Sequence, residues 1–224
     1  MQATLRSPEV ASIIDRLHVC AQAEDGPAKE RIRGREEELG ERLDQERRAE
    51  IYGLAPQAIR REVGELLYLL ALSREVGTIV EFGTSHGLST IYMAAALRDS
   101  GGRCLITTER LAGKAEIARR NIAEAGLDDL VELRVGDALE TLENLNERVD
   151  LLFLDGRNDL YRQVLQSVEP QLAPSALVVA DLSTDDPDLL PYLEYVRDPA
   201  CGYFSVTLPL DTGVELSVRT ALTA

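Results

Sequence analysis

From residue 78 onward the chain alternates short apolar runs with helix-period stretches, and that rhythm leaves few folds open. TIVEF, RCLITT, LVELRV, VDLLFLD and ALVVAD read as strands, separated by STIYMAAAL, KAEIARRNIAEAG, ALETLENL and DLYRQVLQSV, which read as helices. Strands that are apolar throughout, instead of on alternate residues, belong to a parallel sheet covered by helices on both faces. The rhythm breaks at the tail, where YFSVTLP and VELSVR flank LDTG and predict a hairpin with an Asp/Gly turn. The expected fold class is therefore α/β: a doubly wound, mostly parallel seven-stranded sheet that finishes on an antiparallel C-terminal hairpin.

Ahead of the sheet the pattern changes twice. Residues 1–55 read as a charged helical extension and residues 56–224 as the folded domain. Between Ala28 and Glu50 the only apolar positions near helical spacing are Ile32, Leu39 and Leu43, with Ile51 just beyond, so the stripe is narrow and needs a partner surface. That surface is either the mouth of the same domain or a second copy, which would make a homodimer. After Gly53 and Pro56 a fuller amphipathic helix follows, with Ile59, Val63, Leu66, Leu67 and Leu70 at three- and four-residue steps and an expected end near Gly77.

Composition narrows the partners. A formal net charge of -15 repels phosphate backbones and anionic lipid, so neither nucleic acid nor membrane is expected. The arginines from Arg31 to Arg48 are interleaved with Glu36, Glu37, Glu38, Glu41, Asp44 and Glu46, which makes a mixed-charge face instead of a basic one. Cys20, Cys104 and Cys201 are scattered and odd in number, suiting a reducing cytoplasm and not a zinc site. No stretch approaches the roughly 20 apolar residues of a membrane span, and no cleavable leader is evident.

In an open α/β sheet ligands bind beyond the carboxyl ends of the strands, so the residues just after each apolar run deserve inspection. VEFGTSHGLST carries Glu81 and turns through Gly83 and Gly87 into a helix, where glycines let backbone amides approach a ligand. A dinucleotide fingerprint would need glycine at 83, 85 and 88; Ser85 and Leu88 stand instead, which disfavours an NAD-type oxidoreductase. LITTERL leaves Glu109 at a strand tip, suited to accept ribose hydroxyls. Asp137, after Gly136, suits an exocyclic amine or the N-cap of the next helix. Asp155 emerges from the apolar run Leu151–Leu154 and must be solvated, paired or metal-bound.

At these residues the sequence resembles the class I S-adenosylmethionine (SAM) methyltransferases, and among them the catechol and caffeoyl-CoA O-methyltransferase group. EFGTSHGLS is similar to the group's first motif, TTERLAGKAEIARRNIAEAGL to its ribose-acid strand and helix, LDGRNDLY to its fourth-strand motif and VVADL to its fifth, from about Pro56 to Arg219. The resemblance implies a Rossmann-like domain with SAM as cofactor. Gly83, Thr84, Ser85, His86 and Gly87 would border the methionine part, Ser89 would hold its carboxylate and Glu81 would support the loop. Glu109, with Arg110 beside it, would hold the ribose, Asp137 and Ala138 would line the adenine, and Asp155 would face the transfer site.

The resemblance also raises magnesium, with Asp155 and Asp181 as its carboxylate ligands. The sequence departs from the group there: Leu182 stands where an asparagine ligand is usual, and Asn158 where a lysine base is usual. Water can fill the vacant positions so that the two carboxylates hold the ion weakly, and Asp185 or Asp186 is a candidate substitute ligand. Asp155 and Asp181 are also the candidate catalytic residues, since a hydroxyl acceptor needs its proton removed. His86 titrates near neutrality but in a glycine-rich turn is expected mainly to present its amide. The expected function is methylation of a small-molecule hydroxyl, against the alternative of a methyltransferase-like protein that binds without turnover.

Overall fold

The computed structural model describes residues 3–74, 76–183 and 186–220. β1 (Thr78–Phe82) lies inside the sheet, parallel to β2 (Cys104–Glu109) on one side and to β4 (Val149–Leu154) on the other. β3 (Val131–Val135) extends the sheet beyond β2, and β5 (Leu172–Asp181) extends it beyond β4, both in parallel. β7 (Val214–Arg219) returns antiparallel to β5, and β6 (Tyr203–Leu208) pairs antiparallel with β7 as the edge strand. The strand order is 3-2-1-4-5-7-6, a mostly parallel sheet that ends in the antiparallel hairpin which the sequence predicts. The connections diverge on either side of β1, which opens a crevice at the carboxyl ends of β1 and β4.

The period of two along each strand divides the core. Ile79, Leu105, Leu151, Phe153, Leu177 and Val179 face α3 (Arg61–Ser73), α4 (Leu88–Ser100) and α5 (Ala112–Glu124). Val80, Phe82, Ile106, Leu152, Leu154 and Val178 face α6 (Ala138–Thr141), α7 (Tyr161–Val168) and α8 (Leu190–Arg197). α4 is buried on every side from Leu88 to Leu97, because α3 packs over it. That packing is close: a Cβ on Gly64 would fall 2.4 Å from the Tyr92 ring.

α1 (Pro8–Leu39) is longer than the charge pattern suggests. Ser7 caps it by accepting a hydrogen bond from the Val10 amide, Pro8 fills the first turn, and Gly40 ends it at φ +68°. Gly26 and Pro27 lie inside, where a proline removes a helical donor. The helix persists because both halves are anchored: Val10, Ile13, Ile14 and Leu17 join the main core, and Ala28 and Ile32 are buried further along. α2 (Gln45–Tyr52), capped by Asp44, packs back on α1 with Leu43 buried between them. The apolar stripe is thus used within one chain, although Leu39 stays 42% exposed. α3 stops at Arg74 instead of Gly77, whose amide is taken by the Asp150 carboxylate at 2.9 Å on the way into β1.

Ile14→Ala leaves a cavity where α1 meets the core and is expected to destabilise the protein by about 2–5 kcal/mol. Urea unfolding monitored by circular dichroism reads this directly, and an unchanged midpoint would mean that α1 does not share the domain's core.

Candidate functional site

The bend after β1 is held against the end of β4. The Asp155 amide donates to the Phe82 carbonyl at 2.9 Å, and Gly83 follows at φ +103°. A Cβ on Gly83 would lie 2.4 Å from the Asp155 carbonyl oxygen, so only glycine lets the two backbones meet. Beneath the bend sits Glu81, fully buried, whose carboxylate accepts the hydroxyls of Ser89, Thr90 and Thr107. Burial raises the Glu81 pKa and the three hydroxyl donors oppose that rise. Glu81 therefore ties β1 to β2 and α4, which agrees with a supporting role. Ser89 is bound into the same network, its single O–H donor committed to Glu81.

Ser85 adopts φ +47° and aims its amide at Glu109 Oε2, 2.9 Å away, while the Leu111 amide donates to Glu109 Oε1 at 2.8 Å. Two backbone donors thus lock this carboxylate, and each oxygen keeps a lone pair for a ligand. Thr84 is buried, its hydroxyl 2.5 Å from that of Thr107. His86 is only 7% exposed; its Nε2 lies 2.9 Å from the Leu54 carbonyl and its own carbonyl accepts from Asn121 at 2.9 Å. Burial pushes the His86 pKa down, so the ring is a neutral clasp on the segment before α3. Gly87, at φ +86°, starts α4. Asp137 caps α6 by accepting from the Leu139 amide at 2.8 Å, and both Asp137 and Ala138 line the cleft.

The cleft has a volume of about 630 Å³ and is walled by the strand ends on one side and by α1 and α2 on the other. That size suits a nucleoside-sized ligand with a small second molecule. Gly83, Ser85, Glu109, Arg110, Asp137, Ala138, Asp155 and Asp181 all border it, so the structure brings the strand-tip acids together. Glu81 and Gly87 stand behind this lining. Arg110 is paired with Glu46 of α2 at 3.0 Å, which closes one rim.

Asp155 and Asp181 face each other across adjacent strand ends. Burial raises the Asp155 pKa well above the carboxylate range, with Asp181 and Glu81 adding to it. Burial and then Asp211 push Asp181 up to about 7, while Lys29 of α1 opposes them. Asp181 Oδ1 is buried without a hydrogen-bond partner among the described residues.

Asp155 and Asp181 are the two carboxylates that a magnesium ion would meet in this cleft, with water completing its shell. Among the described residues no group of three or more His, Cys, Asp or Glu side chains is placed to hold a metal. Leu182 turns into the apolar layer, 7% exposed. Asp186 is consumed by Asn158 at 2.7 Å, by Gln45 at 2.9 Å and by Arg42. Burial pushes Asp186 up, yet these bonds outweigh it and hold its carboxyl below the usual range. Asp185 lies outside the described residues. Among the described residues no third carboxylate joins the expected Asp155–Asp181 pair, and a metal held there would draw its remaining oxygens from water or substrate.

Several cleft residues escape a reading of strand ends alone. Asp25, Lys29 and Tyr52 arrive from α1 and α2, Asp211 from the turn between β6 and β7, and Lys114 from the first turn of α5. Lys114 carried a signal, because Lys114, Ala118 and Asn121 share the buried face of α5 at four- and three-residue steps. The others depend on segments far apart in sequence.

A methyltransferase-domain family model matches residues 80–181, from β1 to the tip of β5. A catechol O-methyltransferase of Niastella koreensis is 32% identical over 173 residues, covering 74% of this chain and 76% of that protein. The O-methyltransferase from Bacillus cereus in complex with SAH superposes with a TM-score of 0.66 at 26% identity, over 75% of this chain and 84% of that one. The O-methyltransferase TomG from Streptomyces achromogenes, involved in tomaymycin synthesis and solved in complex with SAM, gives 0.63 at 29% identity, over 74% and 82%.

Gly83→Ala forces an L side chain into a left-handed backbone and against Asp155, and is expected to cost about 1–3 kcal/mol at least. Thermal melting should fall clearly below that of the parent, and an unchanged melting temperature would show that the two backbones do not meet as described.

Proposed function

The chain belongs to the methyltransferase family of the catechol O-methyltransferase type, and from that premise we propose that its cleft binds SAM and methylates a hydroxyl of a small molecule. The observation that carries this reading is the convergence, beside the Gly83 bend, of Glu109 locked by the Ser85 and Leu111 amides with the Asp155–Asp181 pair. Glu109 is oriented to accept both ribose hydroxyls, Asp137 and Ala138 border the adenine, and the Gly83–Ser85 backbone borders the methionine part. A methyl group on a positively charged sulfur is the chemistry that SAM supplies when bound.

The remaining work falls to the protein: to align the acceptor, exclude water and take one proton. Asp181, beside Asp155, takes the proton of the acceptor hydroxyl as the oxygen gains the methyl group. A carboxylate with a pKa near 7 is a matched base at neutral pH. Residues 1–55 serve as the acceptor-side cap of the domain formed by 56–224, with Asp25, Lys29 and Tyr52 facing the cleft. The unpaired cysteines Cys20, Cys104 and Cys201 suit a reducing cytoplasm. Among the described residues no helix is long and apolar enough to cross a membrane. A homodimer would use another surface than the α1–α2 stripe. Exposed Phe204 and Val206 on the β6 edge offer one, and light scattering on the intact chain reads the mass. Turnover of any acceptor excludes a role in binding alone.

Glu109→Ala is expected to weaken S-adenosylhomocysteine (SAH) binding ten-fold or more, since it removes charge-assisted bonds worth about 1.5–3 kcal/mol each. Calorimetry showing unchanged affinity would remove the ribose assignment.

Asp181→Asn should lower kcat by roughly 100-fold or more and abolish the rise in wild-type activity as pH passes through about 7. The same residue has a stability signature. Its folded pKa is raised, so the folded state keeps a proton that the unfolded chain has lost, and the associated stability disappears as pH climbs through about 7. Asp181→Asn should therefore melt higher than wild type at pH 8, and melting curves that move the other way would contradict the burial of this charge.

A further inference from the structure

Lys114 is buried at the cleft wall, 4% exposed, and the assignments above leave it without a task. A buried ammonium is costly unless its donors are used. Gln57 Oε1 accepts one of the three N–H groups at 2.8 Å, and among the described residues no carboxylate closes to ion-pair distance. The acids whose charge it feels surround it from three elements: Glu109 at the tip of β2, Asp25 on α1 and Asp155 at the tip of β4. The two strand tips are the ones assigned to the cofactor.

Beside Lys114 the chain already holds a carboxylate. Asp25 accepts the Gln57 amide at 2.7 Å and the Ala58 amide at 3.1 Å, at a turn where Gln57 adopts φ +50°. The Ser89 hydroxyl, the other candidate for the cofactor's carboxylate, donates its hydrogen bond to Glu81. SAM carries a sulfonium, an amino group and one carboxylate; in a cleft tipped by Glu109, Asp137 and Asp155 the carboxylate is the part that the strand ends repel.

Resting on the reading of the cleft as a SAM site, we infer that Lys114 binds the carboxylate of the cofactor's methionine part, and that the nearby Asp25 side chain, held on the Gln57 and Ala58 amides, competes with that carboxylate until the cofactor displaces it. Lys114 is then a determinant of cofactor specificity, selecting the amino-acid half of the molecule, and Asp25 is its intramolecular rival. The two residues should act with opposite sign. Both effects should vanish for a ligand that lacks the carboxylate.

The test compares SAH with 5′-methylthioadenosine, the same nucleoside thioether without the amino-acid group, by calorimetry on the full chain. Lys114→Met should weaken SAH at least ten-fold and leave methylthioadenosine within two-fold, while Asp25→Ala should tighten SAH several-fold and leave methylthioadenosine unchanged. Unchanged SAH affinity in Lys114→Met, or equal losses for both ligands, overturns this inference alone, the latter by revealing a purely structural lysine. If Lys114→Met does not fold, Asp25→Ala decides: no gain for SAH, or an equal gain for both ligands, overturns it. A wild-type protein that binds neither compound overturns the underlying SAM reading and this inference with it.

Discussion

The close approach of the Gly83 bend to the end of β4 is the constraint on which the site depends. It brings the first strand's turn within backbone contact of Asp155, and it is possible only without a Cβ. The buried Glu81 carboxylate then holds that turn from below through three hydroxyls contributed by β2 and α4. A buried charge with every oxygen engaged is rigid, since each partner lost would leave an unsatisfied group in a dry interior. The bend, the start of α4 and the Glu109 tip of β2 are thereby kept in one fixed relation.

Above this frame the electrostatics are uneven. Among the described residues no cation reaches bonding distance of Asp155 or Asp181, so burial and repulsion favour a shared proton over two charges. Asp186 is spent on fastening the start of α2 through Arg42 and Gln45, so this acidic loop anchors the N-terminal segment. The clasp of His86 on Leu54 and the Arg110–Glu46 pair add polar contacts at the cleft rim to the apolar anchoring of α1 in the core.

Much of the site was readable before any coordinates. Glu81, Gly83, Glu109, Asp137 and Asp155 each follow or end an apolar run, and a parallel sheet sends such ends to one side. Their individual tasks were less readable. Ser89 and His86 sit at positions that suggest ligand contact, and the sequence does not show that Ser89 also donates to Glu81 or that the His86 ring lies against a carbonyl 32 residues away. Asp25, Lys29 and Asp211 had no strand-end signature, because they reach the cleft from a helix and a hairpin turn.

By itself, the order of residues determined the sheet, the division of its two faces and the gathering of acids at one edge, because side-chain periods of 2 and 3.6 and the position of glycine are local properties. The length of α1 through Pro27, the sequestering of Asp186 and the seating of Asp25 on the Gln57 and Ala58 amides were decided only by tertiary structure. Each of these depends on which distant side chain arrives within about 3 Å to satisfy or repel a charge, and hydrogen bonding at that range is not encoded in any one segment.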